Sequence, residues 1–160
     1  MMNNLPAPFT LPETAPELAQ RFARIMAGLA AVVARRFARM PHLVGLTVLL
    51  WSRLSRAVRR FHRALMQPSN KRAPRARADR AEDARPRPIA LPSRRGWLVR
   101  ELGWEAAAFM AQLEALLTEI ENRATLARAP GAARILRPIC KMLAVDKSVT
   151  PVLVRSVPPP

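Results

Sequence analysis

From Leu18 onward bulky apolar residues return at steps of three and four: Phe22, Ile25, Met26, Leu29, Val33, Phe37, Met40. That spacing gathers them on one side of a helix. Thr14-Ala15-Pro16-Glu17 reads as its capping box, with Thr14 as N-cap, Glu17 three residues on and Pro16 tolerated in the first turn. Arg21, Arg24, Arg35 and Arg39 fall in a second stripe roughly 60° wide. Ala19, Ala23, Ala27, Ala30, Ala34 and Ala38 form a third, flat side on which a second neighbour could come close. Pro41 pushes Met40 out of the α region, so the first helix kinks into a second, by a bend or corner as readily as by a tight antiparallel hairpin. Leu43 to Trp51 is apolar nearly all round, the pattern of a buried helix or one deep in an interface. Beyond it Leu50, Leu54, Val58, Phe61 and Leu65 share one side, and Arg53, Arg56, Arg59, Arg60 and Arg63 share the other.

The pattern then stops. Residues 67–96 hold five prolines, nine Lys+Arg and few bulky apolar side chains besides Ile89 and Leu91. Such a stretch buries too little surface to offset its ordering entropy and reads as a disordered Pro/Arg-rich linker. Periodicity resumes in a third helix over 97–128, with Leu98, Leu102, Ala106, Phe109, Leu113, Leu116, Leu117, Ile120 and Ala124 on one stripe and Glu101, Glu105, Glu119 and Arg123 opposite. Pro130-Gly131 breaks it, and Ile135, Leu136, Ile139, Met142 and Leu143 form a short helix, bent or restarted at Pro138. The expected layout is a disordered leader (1–13), a basic amphipathic helical region (14–66), the linker, a second helical region (97–147) and a Pro-rich tail (148–160). The fold class is all-α: a small irregular bundle of two long helices, one of them kinked, and one short one.

Composition agrees. Half of the 160 residues are hydrophobic but only 5% are aromatic and Tyr is absent, which suits helices better than a β-sandwich or barrel. Five glycines leave little room for the hairpin turns and phosphate loops of sheet-based enzymes. The formal charge is +16, from 27 Lys+Arg, of which only three are Lys, against 11 Asp+Glu. That excess attracts anionic partners at long range; abundant Arg, Ala and Pro also follow from GC-rich codon usage. The charge is segregated, since 1–66 carries ten Arg against two Glu and 97–129 three Arg against five Glu.

The stretch Arg134-Ile135-Leu136-Arg137-Pro138-Ile139-Cys140-Lys141-Met142-Leu143 resembles an R-x-L-R-P-x-C-x-x-L segment of an uncharacterised family of small basic alphaproteobacterial proteins. The resemblance covers the last third of the chain and implies no activity. Candidate chemistry is thin. His42 and His62 are twenty residues apart without a nearby carboxylate, and the single Cys140 has no accompanying base and reads as a small core residue. Its being single excludes an internal disulfide and points to a reducing compartment. Glu101 with Glu105, or Glu114 with Glu121, reads first as a solvated face. No catalytic residue, metal site or cofactor is assigned.

The start lacks a signal peptide's n- and h-regions, and no run reaches the ~20 apolar residues of a membrane span. The expected place is cytoplasmic, or peripheral at the inner face of the membrane. The expected function is that of a non-enzymatic interaction protein. Its basic amphipathic helix binds an anionic surface, a membrane or an acidic protein, through Arg53, Arg56, Arg59, Arg60 and Arg63. Trp51, Trp97 and Trp104 are candidate apolar contacts. The alternative partner is nucleic acid, bound without sequence preference, and self-association would help so small a core.

Overall fold

The computed structural model describes residues 14–67 and 89–151. Within it, Thr14–Phe37 (α1) and Val44–Met66 (α2) lay their apolar faces on each other. Phe22, Leu29 and Phe37 of α1 and Leu50, Leu54 and Phe61 of α2 are almost wholly buried. The rings of Phe22 and Phe61 lie 4.5 Å apart, tilted by 49°. A residue near the start of α1 thus meets one near the end of α2, and the two run antiparallel. The expected kink at Pro41 is a full reversal: Met40 N–H donates to Phe37 O (3.0 Å), Leu43 N–H to Met40 O (2.9 Å), and buried Leu43 anchors the turn on the core.

The second half departs further from its pattern. The single helix expected over 97–128 is three: Trp97–Leu102 (α3), Trp104–Thr118 (α4) and Ile120–Arg128 (α5). Gly103 divides the first two with φ +64° and ψ −136°, a conformation open to glycine at little cost. Glu119, extended at ψ 130°, divides the next two. There buried Asn122 turns its amide inward and donates to Leu116 O and to Glu119 Oε2, both at 2.9 Å. The interruption resets the helical phase. Ile120 is 84% exposed and Ala124 is also exposed, although the unbroken pattern put both on the apolar stripe, while Asn122, Thr125 and Leu126 turn inward. Thr14 spends its hydroxyl on Thr125 Oγ1 (2.7 Å).

Pro130–Leu143 (α6) begins at the Pro-Gly pair expected to end the preceding helix, since proline suits the first helical position. It runs through Pro138 and stops at Ala144, which has a left-handed φ of 59°. Gly96, at φ +68°, abuts that stop: a Cβ there would come 2.9 Å from the Ala144 methyl, and its N–H donates to Lys141 O (2.8 Å). Leu91, just upstream, packs on the core. Among the described residues six helices and no strand make an all-α fold, against the expected two long and one short. α1 packs on α2, α4 and α5, and α6 on α2 to α5, so both halves share one core. The expected leader (1–13), most of the expected linker (68–88) and the end of the expected tail (152–160) lie outside the described residues.

Candidate functional site

Because α2 gives Leu50, Leu54, Phe61 and Leu65 to the core, the residues on its flanks are fixed in direction. Arg53, Arg56, Arg60 and Arg63, spaced three, four and three, turn to the flank shared with α6, whose Arg134 joins them. Between the two helices runs an open groove of about 1220 Å³. Aliphatic side chains are among its lining, buried Ala57 and Ile139, half-buried Ala64 and Ile135 and exposed Leu49, and Ile89 and Leu91 lie at the incoming chain. Small residues bring the helices close: a Cβ on Gly131 would sit 3.8 Å from that of Ala64. Among the described residues no acidic side chain lines the groove. Among the described residues none of its arginines is ion-paired.

The fifth expected arginine goes elsewhere. Arg59 lies on the opposite flank, beside Trp51, Ser55 and Val58, where α2 meets Ala23, Ala27, Ala30, Ala31 and Ala34 of α1. That second depression, of about 520 Å³, is where the alanine side of α1 stands open, instead of receiving the helix expected on it. α4 packs against another side of α1, at Gly28, where an added Cβ would come 2.7 Å from the Phe109 ring.

The three tryptophans separate. Trp51 is 57% exposed and Trp104 78%, as expected of contact residues, whereas Trp97 is 6% exposed and belongs to the core. Trp97 is thus corrected as an apolar contact, and the cause is Gly103. On one continuous helix residues 97 and 104 would share a face; the break gives them to different helices.

Two acids of the second half, Glu119 and Glu105, lie against α1. Arg21 forks onto Glu119 with two bonds of 2.6 Å, which hold the Glu119 carboxyl below its ordinary pKa. Glu105, on α4, accepts from Arg35 Nη2 at 3.2 Å and faces Arg36 Nε at 3.6 Å. His42 Nε2 stands 3.7 Å from Glu101. Cys140 is buried, and loss of water around it pushes its thiol up to about 11, far from the thiolate a nucleophile needs. Among the described residues no three of His, Cys, Asp or Glu are grouped to hold a metal ion, and no helix is long and apolar enough to cross a membrane.

Arg134 is the groove residue that sequence reasoning missed. It was readable only as one of three cations, with Arg137 and Lys141, spaced three and four along the polar side of α6. Compared with protein-family models, curated proteins and solved structures, the chain matches none of them, so a function has to be reasoned from the groove itself.

Proposed function

We propose that this chain is a non-enzymatic interaction protein that binds an acidic, partly apolar segment of a protein partner in the groove between α2 and α6. The observation that carries the reading is a groove lined by five arginines together with aliphatic side chains, where among the described residues none of these arginines is ion-paired and no carboxylate joins them. Guanidinium groups suit bidentate contact with carboxylates, and an aliphatic lining rewards side chains that leave water. A membrane suits this shape less. Leu50, Leu54, Phe61 and Leu65, which share the side of α2 opposite its arginines, are in the core, leaving only Val44, Val48, Leu49 and Trp51 near its start exposed, and lipid presents a surface, not a strand that fits a channel. Nucleic acid would find phosphate contacts, but the groove lining holds no aromatic side chain for base stacking.

The test uses the full chain and three labelled probes: a glutamate-rich amphipathic peptide, a duplex DNA, and vesicles containing phosphatidylserine. The peptide is expected to bind best. Replacing Arg53, Arg56, Arg60 and Arg63 together with Gln should weaken it at least tenfold without moving the unfolding midpoint appreciably, since exposed substitutions usually change stability by less than about 0.5 kcal/mol each. Replacing Arg24 and Arg39 should leave it bound. Peptide affinity unchanged in the quadruple variant would overturn the proposal. Stronger binding of DNA or of vesicles, lost in that variant, would transfer the groove to nucleic acid or to the membrane.

A further inference from the structure

The far end of α6 carries a second concentration of charge that the groove does not use. Leu136, Ile139, Cys140 and Leu143 give one side of α6 to the core. Arg137 and Lys141, one turn apart on the exposed side, border a depression of about 440 Å³. Arg95, from the segment before α3, and Lys147, from the turn after α6, complete it together with Thr150. Two stretches distant in sequence, the segment before α3 and the end of α6 with the turn that follows it, thus bring four cations to the border of one depression, and among the described residues no acidic side chain lines it.

Of the two carboxylates nearby, Asp146 stands within electrostatic reach of Arg95, but both take their hydrogen bonds from outside the depression's lining. Asp146 accepts from the N–H and the hydroxyl of Ser148, both at 2.8 Å, bonds that hold its carboxyl below the usual range. Glu114 accepts the Asp146 N–H at 3.0 Å. The cluster is also anchored. Arg95 donates to Ala144 O and to Val145 O, carbonyls just past the end of α6, where it offsets the partial negative charge of the helix terminus. The bond from Gly96 N–H to Lys141 O ties the same segment to the helix. Cations gathered around one depression attract an anion to it.

We infer that this depression is a binding site for a phosphate group. Phosphate is compact, carries up to two negative charges and offers several acceptor oxygens to a planar guanidinium and to ammonium groups at once. The site shares no residue with the α2/α6 groove and stands or falls without it. Its phosphate could belong to a soluble compound or to a lipid headgroup.

The experiment titrates inorganic phosphate into the full-length protein at constant ionic strength, with chloride as the balancing anion, and follows the thermal unfolding midpoint. A parallel arm measures co-sedimentation with vesicles of phosphatidic acid, and with phosphatidylserine vesicles matched for charge. Phosphate is expected to raise the midpoint where chloride does not. Arg137→Gln with Lys141→Gln, both exposed, should cut the apparent affinity at least tenfold, while Arg53→Gln with Arg60→Gln should leave it unchanged. Response to free phosphate assigns a soluble ligand; selective, Arg137- and Lys141-dependent binding of phosphatidic acid alone assigns a headgroup. Equal response to chloride and phosphate with no preference between the two lipids, or undiminished binding by the Arg137/Lys141 double variant, overturns the site.

Discussion

On α1, Arg21 grips Glu119 through two bonds of 2.6 Å, and Arg35 and Arg36 converge on Glu105. On α2, a similar density of arginine faces a groove whose lining has no acid among the described residues. The two helices are partners in one hairpin with comparable apolar faces, so the difference arises from their outer neighbours. α1 is flanked by α4 and α5, with Glu105 on α4 and Glu119 at the break between the two; α2 is flanked by α6, whose outer side is basic. Arginine on α1 is spent on holding the two halves of the chain together. Among the described residues, arginine on α2 makes no such pair, which is the physical reason to propose a partner for it.

The comparison rests on the hairpin, and the harshest way to break it is at its aromatic contact. Phe61→Ala removes a side chain that is 1% exposed and stacked on Phe22. A loss of about 3–5 kcal/mol is expected, comparable to the whole stability of many small domains. A denaturant titration measures it. A loss below about 1 kcal/mol would mean that α2 is not held on α1 by this contact, and the assignment of one paired and one open stripe would lose its frame.

A smaller effect should come from the paired side. Glu105 is only 16% exposed, and its Oε2 and Arg36 Nε are both out of water without a hydrogen bond. Glu105→Gln keeps the shape but withdraws the charge that both arginines face, for a cost of about 1–2 kcal/mol, read as a lower denaturant midpoint. Arg60→Gln on the open side should shift the same midpoint by less than about 0.5 kcal/mol. Equal losses from the two variants would show that α2 arginines also support the fold.

The apolar faces of α1 and α2, and the gathering of Arg53, Arg56, Arg60 and Arg63, were legible because helical periodicity alone fixes them. The separation of Arg59 was not, since it depends on which element flanks α2 on each side. Nor was the reversal at Pro41: a proline breaks a helix in many directions, and the burial of Leu43 selects one. Gly103 stood in plain view, but a glycine inside a periodic run is usually tolerated, and its positive φ appears only once α3 and α4 pack. The break at Glu119 had neither proline nor glycine to announce it; its hold is the amide of Asn122, a tertiary detail. Of the cation quartet, Arg137, Lys141 and Lys147 are neighbours along the chain, but Arg95 joins them only through the fold.

The smallest effect sharpens the comparison most, because it reads charge pairing directly. Hydrogen bonding from Arg21 keeps the Glu119 carboxyl below its usual pKa, and Glu119 in turn raises that of Arg21. A carboxyl with a lower pKa in the folded chain binds fewer protons there than in the unfolded one. Its stabilising contribution is therefore complete above the unfolded value of about 4.3 and fades as the pH falls through the lower folded value. The side chains of Arg21 and Glu119 are 37% and 44% exposed, so salt should screen the pair. Unfolding midpoints of the native chain and of Glu119→Gln should differ at pH 7 in low salt, and converge both toward pH 3 and in concentrated sodium chloride. Arg53→Gln has no carboxylate to release among the described residues, and its difference from the native chain should show no such convergence in acid. If it did, the arginines of α2 would have an acidic partner within the chain, and the groove would already be filled.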